Sequence, residues 1–230
     1  MPRNPATLDT PLRSLFPAGV VIAELAGDAD PEDLLAAEAV AVASAVASRV
    51  RQFTAGRLCA RRALAQLQGT EPQALVAGAE RVPLWPADIT GSITHTEGLA
   101  AAVVACRAHF QGVGIDVEPR GSVKPHVYPA ICREEELKWL RGLDEVRARD
   151  AATLLFCAKE AFYKAQYASV AEWVGFKDVR VVFGEWSASG GCFAIELVRE
   201  LKIAQRIRAP ITGACLLYGD FAAAGLALRG

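Results

Sequence analysis

The chain has 230 residues, 52% hydrophobic and 22% charged, with a formal net charge of −1. That length holds one large domain or two small ones, with a core that needs neither disulfides nor a structural metal. The near-neutral balance argues against a protein that grips nucleic acid through a broadly basic surface, so any cationic patch has to be local.

Residues 1–29 are rich in proline and glycine and read as an irregular lead-in with one short strand at "VVIAEL". The first twenty residues contain no apolar run of the secretory kind, and later apolar runs such as "GLAAAVVAC" are too short to span a bilayer. The six cysteines are scattered without a CxxC pair or a Cys/His cluster, as expected of small buried side chains in a reducing compartment. The expectation is a soluble, cytoplasmic protein without a membrane partner.

Asp30 as N-cap and Pro31 at the first helical position predict a helix running to Gln68 and ending at Gly69, weakened at "FTAG" by Gly56. Its second half gathers Arg49, Arg51, Arg57, Arg61 and Arg62, which on spacing alone form a solvated basic face. The segment 71–91 is a turn-rich connector, with Pro83 and Pro86 excluding a helix. "SITHT" leads through Glu97-Gly98 into the strand "LAAAVVACR", and "HFQG" is short enough to join that strand to "GVGIDVE" as a hairpin. Gly121, Pro125 and Pro129 mark a loop, and helices are predicted over 133–141 and 147–168. The tail reads as strands, the last two turning at Tyr218-Gly219-Asp220. Each half thus holds a helix followed by strands, without a recognisable internal sequence repeat, and a boundary near 108–112 divides the chain evenly.

Two stretches carry chemistry. In "GIDVEPR" Asp116 and Glu118 project from one face of a strand, where paired carboxylates repel unless an Arg, a Lys or a hard divalent cation lies between them. A solvated strand edge is the bland alternative. In "FCAKEAFYKA" Glu160 and Lys164 are one helical turn apart in apolar company, which an ordinary surface ion pair does not require. A third carboxylate and a lysine would complete a Mg²⁺ site beside a phosphate, the arrangement of phosphoryl-type transfer. "GSITHT" adds His95 among hydroxyls that could cradle a phosphate, although a lone histidine is more often structural.

In order and approximate spacing, "FTAGRLCARRAL", "VPLWPADITGSITHT", "GIDVEP" and "FCAKEAFYKA" resemble the motifs of the 4′-phosphopantetheinyl transferases, enterobactin-synthetase type. The resemblance covers about residues 53–165. It implies an α+β fold of two similar halves about a pseudo-twofold axis, 1–110 with the basic helix and the His95 motif, 111–230 with the metal and catalytic motifs. It implies transfer of the 4′-phosphopantetheine arm of coenzyme A (CoA) to a serine of an apo acyl or peptidyl carrier protein, with release of adenosine 3′,5′-bisphosphate. Siderophore, other nonribosomal peptide, polyketide and fatty-acid carriers all suit that chemistry.

By resemblance, Asp116, Glu118 and Glu160 hold Mg²⁺, Glu160 and Lys164 are catalytic, and Arg49, Arg57, Thr94, His95 and Lys164 bind CoA. Arg51, Arg61 and Arg62 stay with the solvated face, Lys159 is a flanking cation without a role, and Arg120, Lys124 and Arg133 sit where relatives dock the carrier. Relatives often place a basic residue where this chain has Ala77, for which Arg81 is a possible substitute. No nucleic-acid partner is expected, and two halves in one chain suit a monomer. The alternatives are a Mg²⁺-dependent nuclease, disfavoured because Glu118 is followed by Pro119-Arg120 rather than a lysine two positions on, and a non-catalytic module that binds CoA or a carrier.

Overall fold

The structure, a computed structural model, describes residues 10–78, 82–187, 189–208 and 210–230. Arg81 therefore lies outside the described residues. A 3₁₀ turn at Pro11–Leu15 precedes β1 (Val20–Ala26), a second at Pro31–Asp33 precedes α1 (Ala36–Ala39), and α2 (Ala47–Gln68) is the first long helix. The hairpin β2 (Ile89–Thr96) and β3 (Leu99–Cys106) follows, then β4 (Gly112–Pro119). The short helices α3 (Tyr128–Ile131) and α4 (Glu134–Arg141) lead to the long α5 (Glu145–Val170). Four strands complete the chain: β5 (Val179–Ser187), β6 (Gly190–Leu197), β7 (Ile211–Tyr218) and β8 (Phe221–Leu228).

The strands form two antiparallel sheets, ordered β1-β3-β2 and β4-β8-β7-β6-β5. Each contains the same unit: a strand, a long helix packed on it, and a hairpin whose second strand pairs with the first strand. The correspondence reaches the turns, where Gly27 N–H donates to Gly98 O in one sheet and Arg120 N–H to Asp220 O in the other. The α+β class and the two similar halves are thus present, although the repeat is invisible in sequence.

Side chains from both sheets share a core. Val20, Ala101 and Val103 meet Ile115, Val117 and Ala223, and Leu12, Leu15 and Phe16 of the first 3₁₀ turn close it. Separate cores lie under α2 and around α5.

Several expectations change. The predicted helix 31–68 is a 3₁₀ turn and α1 followed by a break at 43–46, whereas "FTAG" lies intact inside α2. Gly56 serves close approach, because a Cβ there would come within 2.9 Å of Ile93 on β2. Second, "SITHT" is itself part of β2 rather than a lead-in. Third, β3 and β4 are not a hairpin: β4 pairs with β8, a partner a hundred residues away in the chain, and so begins the second sheet. Helices α4 and α5 and the terminal hairpin fall where the patterns place them, but the expected loop after β4 contains a 3₁₀ turn at Pro125–Val127 and α3, with Pro129 in the first turn of that helix, where a proline is tolerated. Among the cysteines Cys59, Cys132, Cys157 and Cys215 are buried, while Cys192 is exposed, contrary to expectation.

Candidate functional site

The site begins with two glycines. Gly112 and Gly114 face α5 from β4, and a Cβ on either would collide with Ala165 O at 2.1 Å or Ala161 O at 1.8 Å. Helix and strand backbones therefore nearly touch, and the next residues on that face of β4, Asp116 and Glu118, are delivered against the helix beside Glu160 and Lys164. Ile115 and Val117 point the other way, into the shared core.

Lys164 Nζ donates to Asp116 Oδ1 at 2.6 Å and to Ile115 O at 3.3 Å. Thr94 Oγ1, from β2, donates to the same Asp116 oxygen at 3.2 Å and accepts Val117 N–H at 3.1 Å. Ser92 Oγ accepts Ile115 N–H at 3.3 Å, so hydroxyls stand in for a backbone ladder where β2 runs beside β4. The proton of Thr94 is thereby committed to Asp116, a contact that ties the first sheet to the acidic cluster.

Asp116 is buried, and its Oδ2 has no partner among the described residues. Burial, and then the charges of Asp116 and Glu160 against the relief of Lys164, push the half-buried Glu118 carboxyl up to about 7. Burial also raises Glu160, with Lys164 opposing and Asp116 adding to the rise. Burial alone would lower the Lys164 ammonium, but Asp116 and Glu160 outweigh it and the pKa is raised. Three carboxylates with one ammonium are short of positive charge. The donor set of hard oxygens, the orphaned Oδ2 and the raised carboxyls fit a divalent cation. Among the described residues no three Asp, Glu, His or Cys groups are already drawn together as ligands, so a cation would have to pull the carboxylates in.

On the other side of β2, His95 and Ile93 face α2. Arg49 Nη1 lies 2.8 Å from His95 Nε2, and burial, then Arg49 and Lys164, lower the histidine pKa, favouring a neutral ring that accepts the Arg49 N–H. Arg57 is only 3% exposed, with its guanidinium 4.3 Å above the Phe53 ring and a buried Nε unpartnered among the described residues. Burial, tempered by Glu38, lowers its pKa to about 10, so it stays charged at neutral pH. Arg49, Arg57 and His95 line a cavity of about 370 Å³, a concave cationic site for a phosphorylated ligand. A larger cavity of about 490 Å³, between the first 3₁₀ turn and β7–β8, is remote from the acids.

The sequence missed other parts of this neighbourhood. An apolar slot beside Glu160 is walled by Tyr163, Trp173, Val174 and Phe176. Lys159 is no flanking surface cation: it is 2% exposed and paired with Glu136 at 2.7 Å. Arg61 likewise leaves the solvated face, buried against Glu38 at 2.7 Å. The helical stripe held the signal, since Lys159 lies in register with the buried Leu155, Phe162 and Gln166. Arg51 pairs with Asp28 and Arg62 is exposed, as expected of a solvated face. Of the basic residues after the acids, Arg120 binds Asp150, Lys124 donates to Gly121 O and Arg133 to Lys177 O.

Comparison with known proteins places this arrangement. Residues 37–105 match the 4′-phosphopantetheinyl transferase N-terminal domain, and residues 112–204 match the 4′-phosphopantetheinyl transferase superfamily. The 4′-phosphopantetheinyl transferase Npt of Nocardia iowensis is 39% identical over 193 residues, 81% of this chain and 85% of that one. The transferase PptT of Mycobacterium tuberculosis is 38% identical, over 77% of this chain and 79% of its own. Enterobactin synthase component D of Salmonella austin is 34% identical over 53% of this chain and 50% of its own. With both halves of the sequence matched in order, the chain belongs to the 4′-phosphopantetheinyl transferase superfamily and is an enzyme of that class.

Proposed function

We propose that the protein transfers the 4′-phosphopantetheine arm of CoA to a serine of an apo acyl or peptidyl carrier protein, releases adenosine 3′,5′-bisphosphate, and depends on Mg²⁺. The observation that carries this reading is the placement of a cationic cavity and an acidic cluster on the two flanks of β2, with His95 on the cavity side and Thr94 bonded to Asp116 on the other.

In this reading Arg49, Arg57 and His95 bind the terminal phosphate of the nucleotide, and the diphosphate runs across β2 to Lys164, whereas Thr94, also expected at CoA, is buried with its hydroxyl on Asp116 and Val117 N–H and serves to place the acids instead. Asp116, Glu118 and Glu160 hold the cation, which when bound would supply positive charge to the diphosphate oxygens. Lys164, paired with Asp116, stays protonated and balances charge on the leaving phosphate. Glu160, one helical turn before Lys164, takes the proton of the attacking serine, either directly or through a water. The slot beside Glu160, of about 70 Å³, suits a short apolar portion of the arm beyond the phosphates. Residues 1–110 then supply the nucleotide side and 111–230 the chemistry, with the site completed inside one monomer.

Arg120, Lys124 and Arg133 follow the acids of β4 in sequence and suit an acidic carrier. Carriers of siderophore, other nonribosomal peptide, polyketide or fatty-acid assembly all present the required serine. Unpaired thiols and CoA as substrate suit a cytoplasmic enzyme. Among the described residues no helix is long and apolar enough to cross a membrane.

The test is intact-mass analysis of an apo carrier incubated with the protein, CoA and Mg²⁺. The expected result is a mass gain of one phosphopantetheine arm, abolished by EDTA and slowed about 10²-fold or more by Glu160→Gln. Absence of any gain across the carrier classes, with CoA bound, would instead support a non-catalytic binding module.

A further inference from the structure

Lys159 precedes Glu160 on α5 but points away from the acids. Its Nζ commits three donors: Glu136 Oε2 at 2.7 Å, Ile131 O at 2.8 Å and Phe176 O at 2.9 Å. Glu136 is equally buried and accepts Arg133 N–H and Val181 N–H, both at 2.7 Å. One ion pair therefore joins the end of α3, the start of α4, the segment before β5 and β5 itself to the helix turn that carries Glu160. The Phe176 contact matters most, because Trp173, Val174 and Phe176 form the far wall of the slot beside Glu160. From outside, Arg199 holds the same segment through Glu172 Oε1, Trp173 O and Asp178 Oδ2.

The first half contains a counterpart. Arg61 on α2 binds Glu38 at 2.7 Å and Asp33 O at 2.7 Å, and Glu38 accepts Leu75 N–H and Leu35 N–H. Both carboxylates reach back to the start of their own short helix and across to a later segment, and both cations come from the long helix. The two pairs differ in the neighbouring residue: Arg62, after Arg61, is exposed and borders no such slot, whereas Lys159 is followed by Glu160.

We propose that Lys159 and Glu136 are positioning residues, which hold segment 173–176 opposite Glu160 and so set the width of the slot that receives the arm of CoA. The inference rests on the transferase reading above. A buried ion pair is seldom needed for stability alone, since apolar replacement of both partners is often neutral, so its value here lies in the fixed placement of four carbonyl- and amide-bearing segments.

The experiment compares Lys159→Met/Glu136→Gln with Arg61→Met/Glu38→Gln, each removing one buried pair. Affinities are measured for CoA and for adenosine 3′,5′-bisphosphate, which lacks the arm, together with kcat of transfer and amide exchange over 173–178. For the second-half variant we expect the ratio of the two affinities to shift about tenfold against CoA, with kcat lowered about 10- to 100-fold, as a misplaced substrate requires. Amide exchange over 173–178 rises in that variant. The first-half variant keeps the parental ratio, because any disturbance passed to Arg57 affects both ligands alike.

Should the second-half double variant not fold, Lys159→Gln leaves Glu136 accepting Arg133 N–H and Val181 N–H and offers it a neutral amide donor in place of the ammonium, and the same shift in ratio is expected. A parental ratio with parental exchange in the variant that folds overturns the proposal, as does a KM change confined to the carrier. Failure of the parent protein to bind CoA or modify a carrier would defeat the transferase reading instead, so the two failures are distinct.

Discussion

Asp116, Glu118 and Glu160 share Lys164 as their close cation, and burial first, with the charges of Asp116 and Glu160 added, raises the Glu118 pKa to about 7 from an ordinary value of 4.5. The folded protein keeps that proton through a pH range in which the unfolded chain has lost it. The stability it contributes is full below about pH 4.5 and lost as the pH rises through about 7. His95 acts in the opposite direction, since burial lowers its pKa and penalises the charged ring as the pH falls. A difference measurement separates the two. Without added metal, the melting temperature of the parent relative to Glu118→Gln should fall as the pH rises from about 4.5 to about 7. Mg²⁺ at neutral pH should raise the melting temperature of the parent more than that of the variant, because a ligand of the folded state stabilises it. Parallel curves, with or without Mg²⁺, would contradict the shared acidic cluster. At this scale the acids were legible because strand and helix periods place Asp116 with Glu118 and Glu160 with Lys164. For Lys159 the buried stripe of α5 held the signal, but the carboxylates that allow Lys159 and Arg61 to be buried, Glu136 and Glu38, come from other elements, which no local pattern reveals.

Between elements, the contact that assembles the site is made by side chains rather than by a ladder. Thr94 accepts Val117 N–H and donates to Asp116, while Ser92 accepts only Ile115 N–H. Thr94→Val keeps the shape but leaves a buried N–H unpaired, and should cost about 1–3 kcal/mol of stability. It should also lower transfer about tenfold or more by releasing Asp116, with Thr94→Ser restoring most of the rate. Ser92→Ala should lose comparable stability with the rate nearly intact. Equal losses of rate in both variants would show that the seam matters only as structure. The hairpin expected between β3 and β4 failed for a related reason: a short connection allows pairing, but β4 is claimed by β8, and its two glycines seat it under α5 rather than beside β3. The "FTAG" break failed because Gly56 was weighed by helix propensity, when its role is to admit Ile93.

Across the molecule, the two sheets share a single core segment, and the site lies where they meet, so the halves should not unfold separately. Leu12 tests this away from the chemistry. It is fully buried, and its 3₁₀ turn packs on β7, β8 and β1, elements of both sheets. Leu12→Ala removes side-chain volume from the shared core and should cost about 2–5 kcal/mol. If the sheets are one cooperative unit, the loss will appear equally in the amide protection of α2, which belongs to the first sheet, and of α5, which belongs to the second. Denaturant unfolding will remain a single transition with a lowered midpoint and an unchanged slope. Protection lost from α2 alone, or a transition split in two, would mean that each half folds on its own core and that the seam through Ser92 and Thr94 forms afterwards. Cooperativity of this kind also bears on catalysis, because Thr94 and the cationic cavity belong to one sheet and Asp116 with Glu160 and Lys164 to the other. In one cooperative unit neither half opens alone, so the site is lost only with the fold, and transfer activity should fall in step with the unfolding transition, at the same denaturant midpoint.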